Sequence, residues 1–592
     1  MNEPIKWITR YAVLILLGAV LVACGGGGGG GSSAPPPAPP PGEEPPTPVP
    51  PVEPEPLTPM AAARFLSQAS FGPDLTSIDA LVDSGLESWL TAQLAMPATL
   101  HLQDVLARFP ADGIFLDEQG NPLPEVVFAA SDSFWEKAIT ADDQLRQRMA
   151  FALSQVLVVS SQSDLVRTPQ MIAAYMDVLT EGAFGNFRDL IEDVTYSPAM
   201  AVFLTYLRNE KADPTTGRVP DENYARELLQ LFTLGLVELQ ADGSPVPGAD
   251  GLPIELFDNS DITGLAKVFT GLSFGGTGFQ TPLRSLPNEA YYQPLQMFDE
   301  FHSSEEKTFL NTTIAANTGG EETIDLALDT IFANANMGPF LARQLIQRFV
   351  TSHPGSEYVG RVSQAFDSGD FLLPSGASVG SGNRGDLAAT VAAVLFDDDA
   401  TMDRTADSTF GKLREPVLRF THWARAFQID SPVVSNERLL RDTSSSELLG
   451  QHPYRSPSVF NFYRPGYIAP GTETGAAQLT APELQIANAS TVIGYINFMT
   501  IYALGRSPQV DPAAPSSFVA DYSEELVLAA DPAALLDHLD LLLTHGALED
   551  ETRARITDAL LEIDVQSDAE LLIRAQLASI MVMTAPEYLV LR

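Results

Sequence analysis

The 592-residue chain carries a single cysteine, Cys24, so no internal disulfide can form. Positive charge is also scarce: 34 basic residues face 76 acidic ones, a formal net charge of −42. A deficit of that size argues against nucleic acid as a partner, because phosphate recognition needs a basic footprint. It disfavours direct attraction to anionic membrane surfaces for the same reason. Lysine is the rarer cation, six against 28 arginines, and arginine forks pair bidentately with carboxylates where lysine serves as a solvated point charge. The seven histidines show neither HExxH nor a close pair at ligand spacing. The expectation for metal is therefore none, His302 beside Asp299 and Glu305 being the weak candidate. No GxSxG elbow is present. The glycine-rich "FGGTGF" lacks the flanking strand and Lys of a phosphate cradle.

One long apolar run exists, Tyr11 to Ala23, preceded by Lys6 and Arg10. It is too short for a comfortable membrane span but suits the core of a signal peptide. The following "LVAC" resembles a bacterial lipobox, which would make Cys24 a lipidation site and the chain an outer-membrane lipoprotein of the cell envelope, periplasmic or surface exposed. Residues 25–58 are a glycine run followed by "SSAPPPAPPPGEEPPTPVPPVEPEPLT", a composition that builds no core and reads as a disordered tether. At roughly 3.1 Å per residue its proline-rich part reaches up to about 80 Å. The expected organisation is residues 1–24 signal peptide, 25–58 tether and 59–592 a large helical domain.

From Pro59 onward apolar residues recur at three- and four-residue spacing, in "MAAARFLSQASFG", "LRQRMAFALSQVLVVS", "TPQMIAAYMDVLTEGAF", "RGDLAATVAAVLF" and "GKLREPVLRFTHWARAF". The fold class is therefore mainly α, a multi-helix globular domain. One or two small β-hairpins are expected, in "VELQADGSPVPGADGLPIELF" and near "LDEQGNPLPEV". "FDDDATMD" has a calcium-like composition but lacks the glycine and closing glutamate of an EF-hand loop, so it reads as a solvated acidic turn.

Two stretches carry candidate chemistry. "PDENYARELLQLFTLG" (220–235) predicts a two-faced helix with Tyr224, Leu228, Leu229, Leu231 and Phe232 on one side. Glu222, Asn223, Arg226, Glu227, Gln230 and Thr233 fall on the other, and Glu222 and Arg226 stand four apart as a helical ion pair. That face is open to three readings: a buried network joined by Arg414 and Glu415 of "GKLREP", a functional cleft, or plain surface. "YRSPSVFNFYRPGY" (454–467) is a rigid aromatic loop whose Tyr454, Arg455 and Arg464 suit sugar rings or acidic glycans, unless the loop simply packs across the helices.

These stretches resemble successive blocks of one bacterial family, the domain of unknown function 1800. "ENYARELLQLFTLG" is similar to its signature, and "AARFLSQASFGP", "DITGLAKVFTGL", "FHSSEEKTFL", "SPSVFNFYRPGY" and "APELQIANASTV" match further blocks between about residue 60 and the C-terminus. The resemblance implies an exported, largely helical domain often encoded beside a sulfatase-like exported family, with no settled activity; the cofactor is left unknown. Family members often show paired histidines near "FHSSEEKTFL", where this chain has Phe301 and His302.

Two functions are carried forward. The first is a tethered binding or assembly protein acting with another exported protein, a sulfatase-like partner included, or with an extracellular glycan. The second is a hydrolase of an extracellular polysaccharide or ester, with Glu222 or Glu227 as acid/base and Arg226 orienting an anionic group. On one helix the two carboxylates point about 140° apart, so a partner from another segment would be needed.

Overall fold

The computed structural model describes residues 56–109 and 123–592. The signal peptide, Cys24, the tether up to Glu55 and most of the hairpin expected near Gly120 lie outside the described residues. Residues Pro56–Arg592 form one compact, mainly helical unit. Among the described residues no helix is long and apolar enough to cross a membrane.

The first helix, Pro59–Ala69, begins where the proline-rich composition ends, with Thr58 accepting from the Ala61 amide and Pro59 at the first helical position. The Leu387–Phe396 helix is apolar on nearly every side, as a core-central helix must be, and Asp386 caps it through the Ala389 amide (2.9 Å). It packs against the Met337–Phe349 and Ser356–Ser368 helices, while Gln144–Ser154 packs against Pro169–Glu181. A second core centre is aromatic. Phe420, on the Pro416–Ala426 helix, meets Trp135, Phe498, Tyr502 and Phe518 with ring centroids 5.0–6.1 Å apart, which locks three helices together.

Strand content is confined to four two-stranded antiparallel sheets among the described residues. None of the four was legible as strands; three are Leu272–Phe274 with Leu295–Met297, Lys307–Phe309 with Thr312–Ile314, and Phe371–Leu372 with Ser378–Val379. The fourth pairs Lys412–Leu413 with Val590–Leu591 and ties the C-terminus to the "GKLREP" segment. That segment is not helical throughout: Pro416 sits at the first helical position and holds the residues before it extended. The hairpin expected at 237–257 is instead a three-segment meander. Val246 donates to the Glu238 carbonyl and accepts from the Ile254 amide, so the middle segment is bridged on both sides.

Gly264 fixes one close approach. A Cβ there would lie 1.8 Å from the Thr308 carbonyl oxygen, so only glycine lets the Asn259–Ala266 helix rest on the Lys307–Phe309 strand. This contact positions the helix that meets the 220–235 motif.

Candidate functional site

The motif segment is two helical turns of different kind. Asn223–Glu227 is α-helical, and Leu228–Thr233 winds as a π-helix in which the Leu234 amide reaches the Leu229 carbonyl (3.0 Å). Gly235, at φ +82°, ends it. The wider turn breaks the 100° phase used to sort the faces from Leu228 onward, leaving Asn223–Glu227 in register. Tyr224, Leu228, Leu229 and Phe232 are buried as expected, but Glu227 and Thr233 are buried too, while Leu231 is only half-buried. The expected polar face is thereby divided. Glu222, Asn223, Arg226 and Gln230 remain at the partly exposed edge. There Glu222 pairs with Arg226 (3.1 Å) and accepts from the Thr263 hydroxyl (2.9 Å). Arg226 and Asn223 make longer contacts to Asn259 and Thr205, both 3.4 Å. Burial raises the Glu227 carboxyl above its ordinary pKa, with Arg226 opposing, and its Oε2 has no hydrogen-bond partner among the described residues.

Arg414 and Glu415 do not join this edge. Arg414 is sealed in the core, donating to the Tyr588 carbonyl (Nε, 2.8 Å), contacting His422 Nδ1 (2.7 Å) and stacking 4.0 Å over the Tyr588 ring. Glu415 is fully buried at the centre of a separate network. Its Oε2 accepts from Gln155 (2.8 Å), Gln451 (2.5 Å) and Tyr463 (2.8 Å). Arg148 and Arg348 lie close enough for Glu415 to offset part of their desolvation; burial still lowers Arg148 to about 10. Beside them Lys412 pairs with Glu483 (2.7 Å), whose other oxygen accepts from Ser352 (2.8 Å). "GKLREP" thus sits in buried networks of its own, and none of the partners of Arg414 or Glu415 comes from the 220–235 helix.

Metal chemistry finds no cluster: among the described residues no group of three His, Cys, Asp or Glu is placed to hold an ion. His302 is buried with Nδ1 against the Thr270 carbonyl (2.9 Å), Asp299 accepts from the Gly320 amide, and Glu305 pairs with Lys267. The acidic run at 397–403 is satisfied locally. Asp397 caps a short helix and takes the Arg361 fork (2.6 and 2.8 Å), and Asp399 pairs with Arg361 and Arg404.

The aromatic loop supplies the clearest concave feature, a cavity of about 140 Å³. Tyr454 and Arg455 line it; Arg464 is exposed elsewhere, 4.6 Å over the Phe460 ring. One wall comes from Pro169, Ile172 and Met176, which the three- and four-residue periodicity puts on one face of the Pro169–Glu181 helix. Val127, Phe128, Leu165 and Val166 complete the apolar part. Tyr454 is held at φ +52°, unusual for a residue with a side chain, and its carbonyl accepts from the Ser161 amide (2.8 Å). Residues that the sequence did not single out form the polar side: Arg441, Asp442 and His452. Asp442 accepts from Arg455 (2.9 Å) and from the Ser444 amide and hydroxyl. His452 Nδ1 accepts from the Thr443 amide (3.2 Å), which puts the ring proton on Nε2. Burial holds this imidazole neutral, down to about 4, with Asp442 pulling the other way. "RDTSSS" carries no motif, so nothing along the sequence pointed to Arg441.

A mainly helical globular body with a sealed ion network and a small, largely apolar cleft is the class these features define. The family model described as "Protein of unknown function (DUF1800)" matches residues 64–590, and the chain belongs to that family. No curated protein and no solved structure matches it.

Proposed function

We propose that the protein is a lipid-tethered binding protein of the cell envelope that docks another exported protein through the cleft at Tyr454. The supporting observation is the cleft itself. Its volume of about 140 Å³ matches the ~150 Å³ apolar cavities that hold one benzene-sized group. Its wall is dominated by Val127, Phe128, Leu165, Val166, Ile172 and Met176, which favours an apolar side chain over a hydroxyl-covered sugar ring. A single anchored side chain in such a pocket is the usual energetic centre of a protein–protein contact. The N-terminal sequence supplies the rest of the reading, with Cys24 as the lipidated residue and the Gly/Pro-rich stretch as the spacer.

The test fills the cleft from its rim. Val166 lines it and is 41% exposed, so Val166→Trp can occupy the space without disturbing the core. In-cell cross-linking of the full chain should give an exported adduct that is absent from Val166→Trp at unchanged thermal stability; identical adducts from both would sink the reading. Cys24→Ser should release the protein from the membrane fraction and abolish fatty-acid labelling.

A further inference from the structure

The polar side of the cleft has donors that no acceptor of the described residues has taken up. Asp442 is the one carboxylate among the lining residues, and both its oxygens are already taken by Arg455 and Ser444. Arg441 makes no hydrogen bond or ion pair with the described residues; its guanidinium lies 5.5 Å over the Phe128 ring, at the boundary of the apolar wall. Asp132 feels Arg441 only as a charge at a distance, and its own ion pair is with Arg108 (2.5 Å). His452 is 2% exposed, lines the cavity, and its Nδ1 is an acceptor for the Thr443 amide, so its proton sits on Nε2, which has no partner among the described residues. The Thr443 hydroxyl donates to the Gln451 carbonyl (2.5 Å) and lies 3.1 Å from the same Nδ1, where the Thr443 amide, which can only donate, sets the ring nitrogen as acceptor. Ser161 adds a hydroxyl that makes no hydrogen bond with the described residues. A buried donor left unmet costs more than a met one gains, so a site built this way selects an anion.

Resting on the cleft reading above, we propose that the ligand is the C-terminal residue of a polypeptide with an apolar side chain. The side chain fills the space beside Ile172 and Met176, and the terminal carboxylate is held by Arg441 and the His452 Nε2–H. A chain terminus suits the cavity because its volume takes one side chain, while Val166 at the rim stays exposed for the residues that precede it. The protein's overall charge does not oppose this, since charges more than a Debye length away (about 8–10 Å at physiological salt) are screened. A free aliphatic acid carries the same chemistry without the chain, and the experiment separates the two.

The experiment is calorimetric titration of the full chain in detergent with N-acetyl-leucine, N-acetyl-leucinamide, 4-methylpentanoate and the peptide Gly-Gly-Leu. Wild type should bind N-acetyl-leucine at least tenfold more tightly than the amide, and Gly-Gly-Leu more tightly than 4-methylpentanoate. Arg441→Met should erase the acid–amide difference without weakening the amide, and Arg441→Lys should keep most of it. Equal binding of acid and amide would overturn the carboxylate inference and leave the cleft reading standing; binding of none of the four would remove both. If 4-methylpentanoate binds more tightly than Gly-Gly-Leu, the ligand is a free acid and the chain-terminus assignment falls.

Discussion

The Glu415 network and the Arg441 cleft use similar side-chain types, arginine, tyrosine and either glutamine or histidine, to opposite ends. Around Glu415 the donors of Gln155, Gln451 and Tyr463 converge on a carboxylate that the chain itself supplies. Around Arg441 the donors converge on space, because Asp442 is already committed. The first arrangement fixes how distant segments pack. The second leaves a cavity beside donors that the described residues do not pair. A burial pattern alone does not separate them; counting donors against acceptors does.

The largest effect that would test this difference is expected at Glu415. Glu415→Ala strands three donors and takes from Arg148 and Arg348 a carboxylate that partly offsets their burial, so a loss of about 3–5 kcal/mol is expected in denaturant unfolding. A loss under about 1 kcal/mol would mean the network is not what holds these segments. The Lys412–Glu483 pair gives a second measure. Lys412→Met alone should cost a comparable ~3 kcal/mol, while Lys412→Met with Glu483→Leu should recover most of it, since two buried apolar groups replace two paired charges. No recovery in the double variant would argue that packing, not charge, dominates there.

A smaller effect follows from the buried histidines. Burial lowers His101 and His545 to about 3 and His452 to about 4. In the unfolded chain these groups protonate near 6.5, so their contribution is complete above about pH 6.5 and is lost as pH falls towards 3–4, at up to ~1.4 kcal/mol per pH unit for each. Asp132 and Asp177, raised to about 6 by burial, act in the opposite direction between about 4 and 6. His452→Asn should therefore flatten the acid limb of the stability–pH curve; an unchanged slope would show that His452 is not held neutral.

The smallest effect belongs to the partly exposed edge. The Glu222 and Arg226 side chains are each more than a third exposed, so Arg226→Ala should change stability by no more than about 0.5 kcal/mol. Glu227→Gln, which removes a buried charge that Arg226 only partly offsets, should leave stability unchanged or raise it. Strong destabilisation by either would place the motif helix with the Glu415 network after all.

The helical body was legible because side-chain periodicity is a local property: "TPQMIAAYMDVLTEGAF" and "RGDLAATVAAVLF" became the Pro169–Glu181 and Leu387–Phe396 helices. Two- and three-residue strands were not, since Lys412–Leu413 is a strand only because Val590–Leu591 lies beside it. The motif helix was half legible: its apolar anchors were right, Glu227 is buried in the α-helical turn beside Tyr224, and the π-turn that carried Thr233 inward leaves no mark in a 100° projection.

Of the site, Tyr454 and Arg455 could be named from an aromatic, proline-stiffened loop, whereas Arg441 and His452 could not. Contiguous residues were enough for the helical class and the family, because periodicity and signature blocks are both written along the chain. Which arginine is paired and which is free was settled by packing. Gln155, Glu415 and Tyr463 meet across hundreds of residues, and the supply of acceptors at any one place depends on how such segments come together.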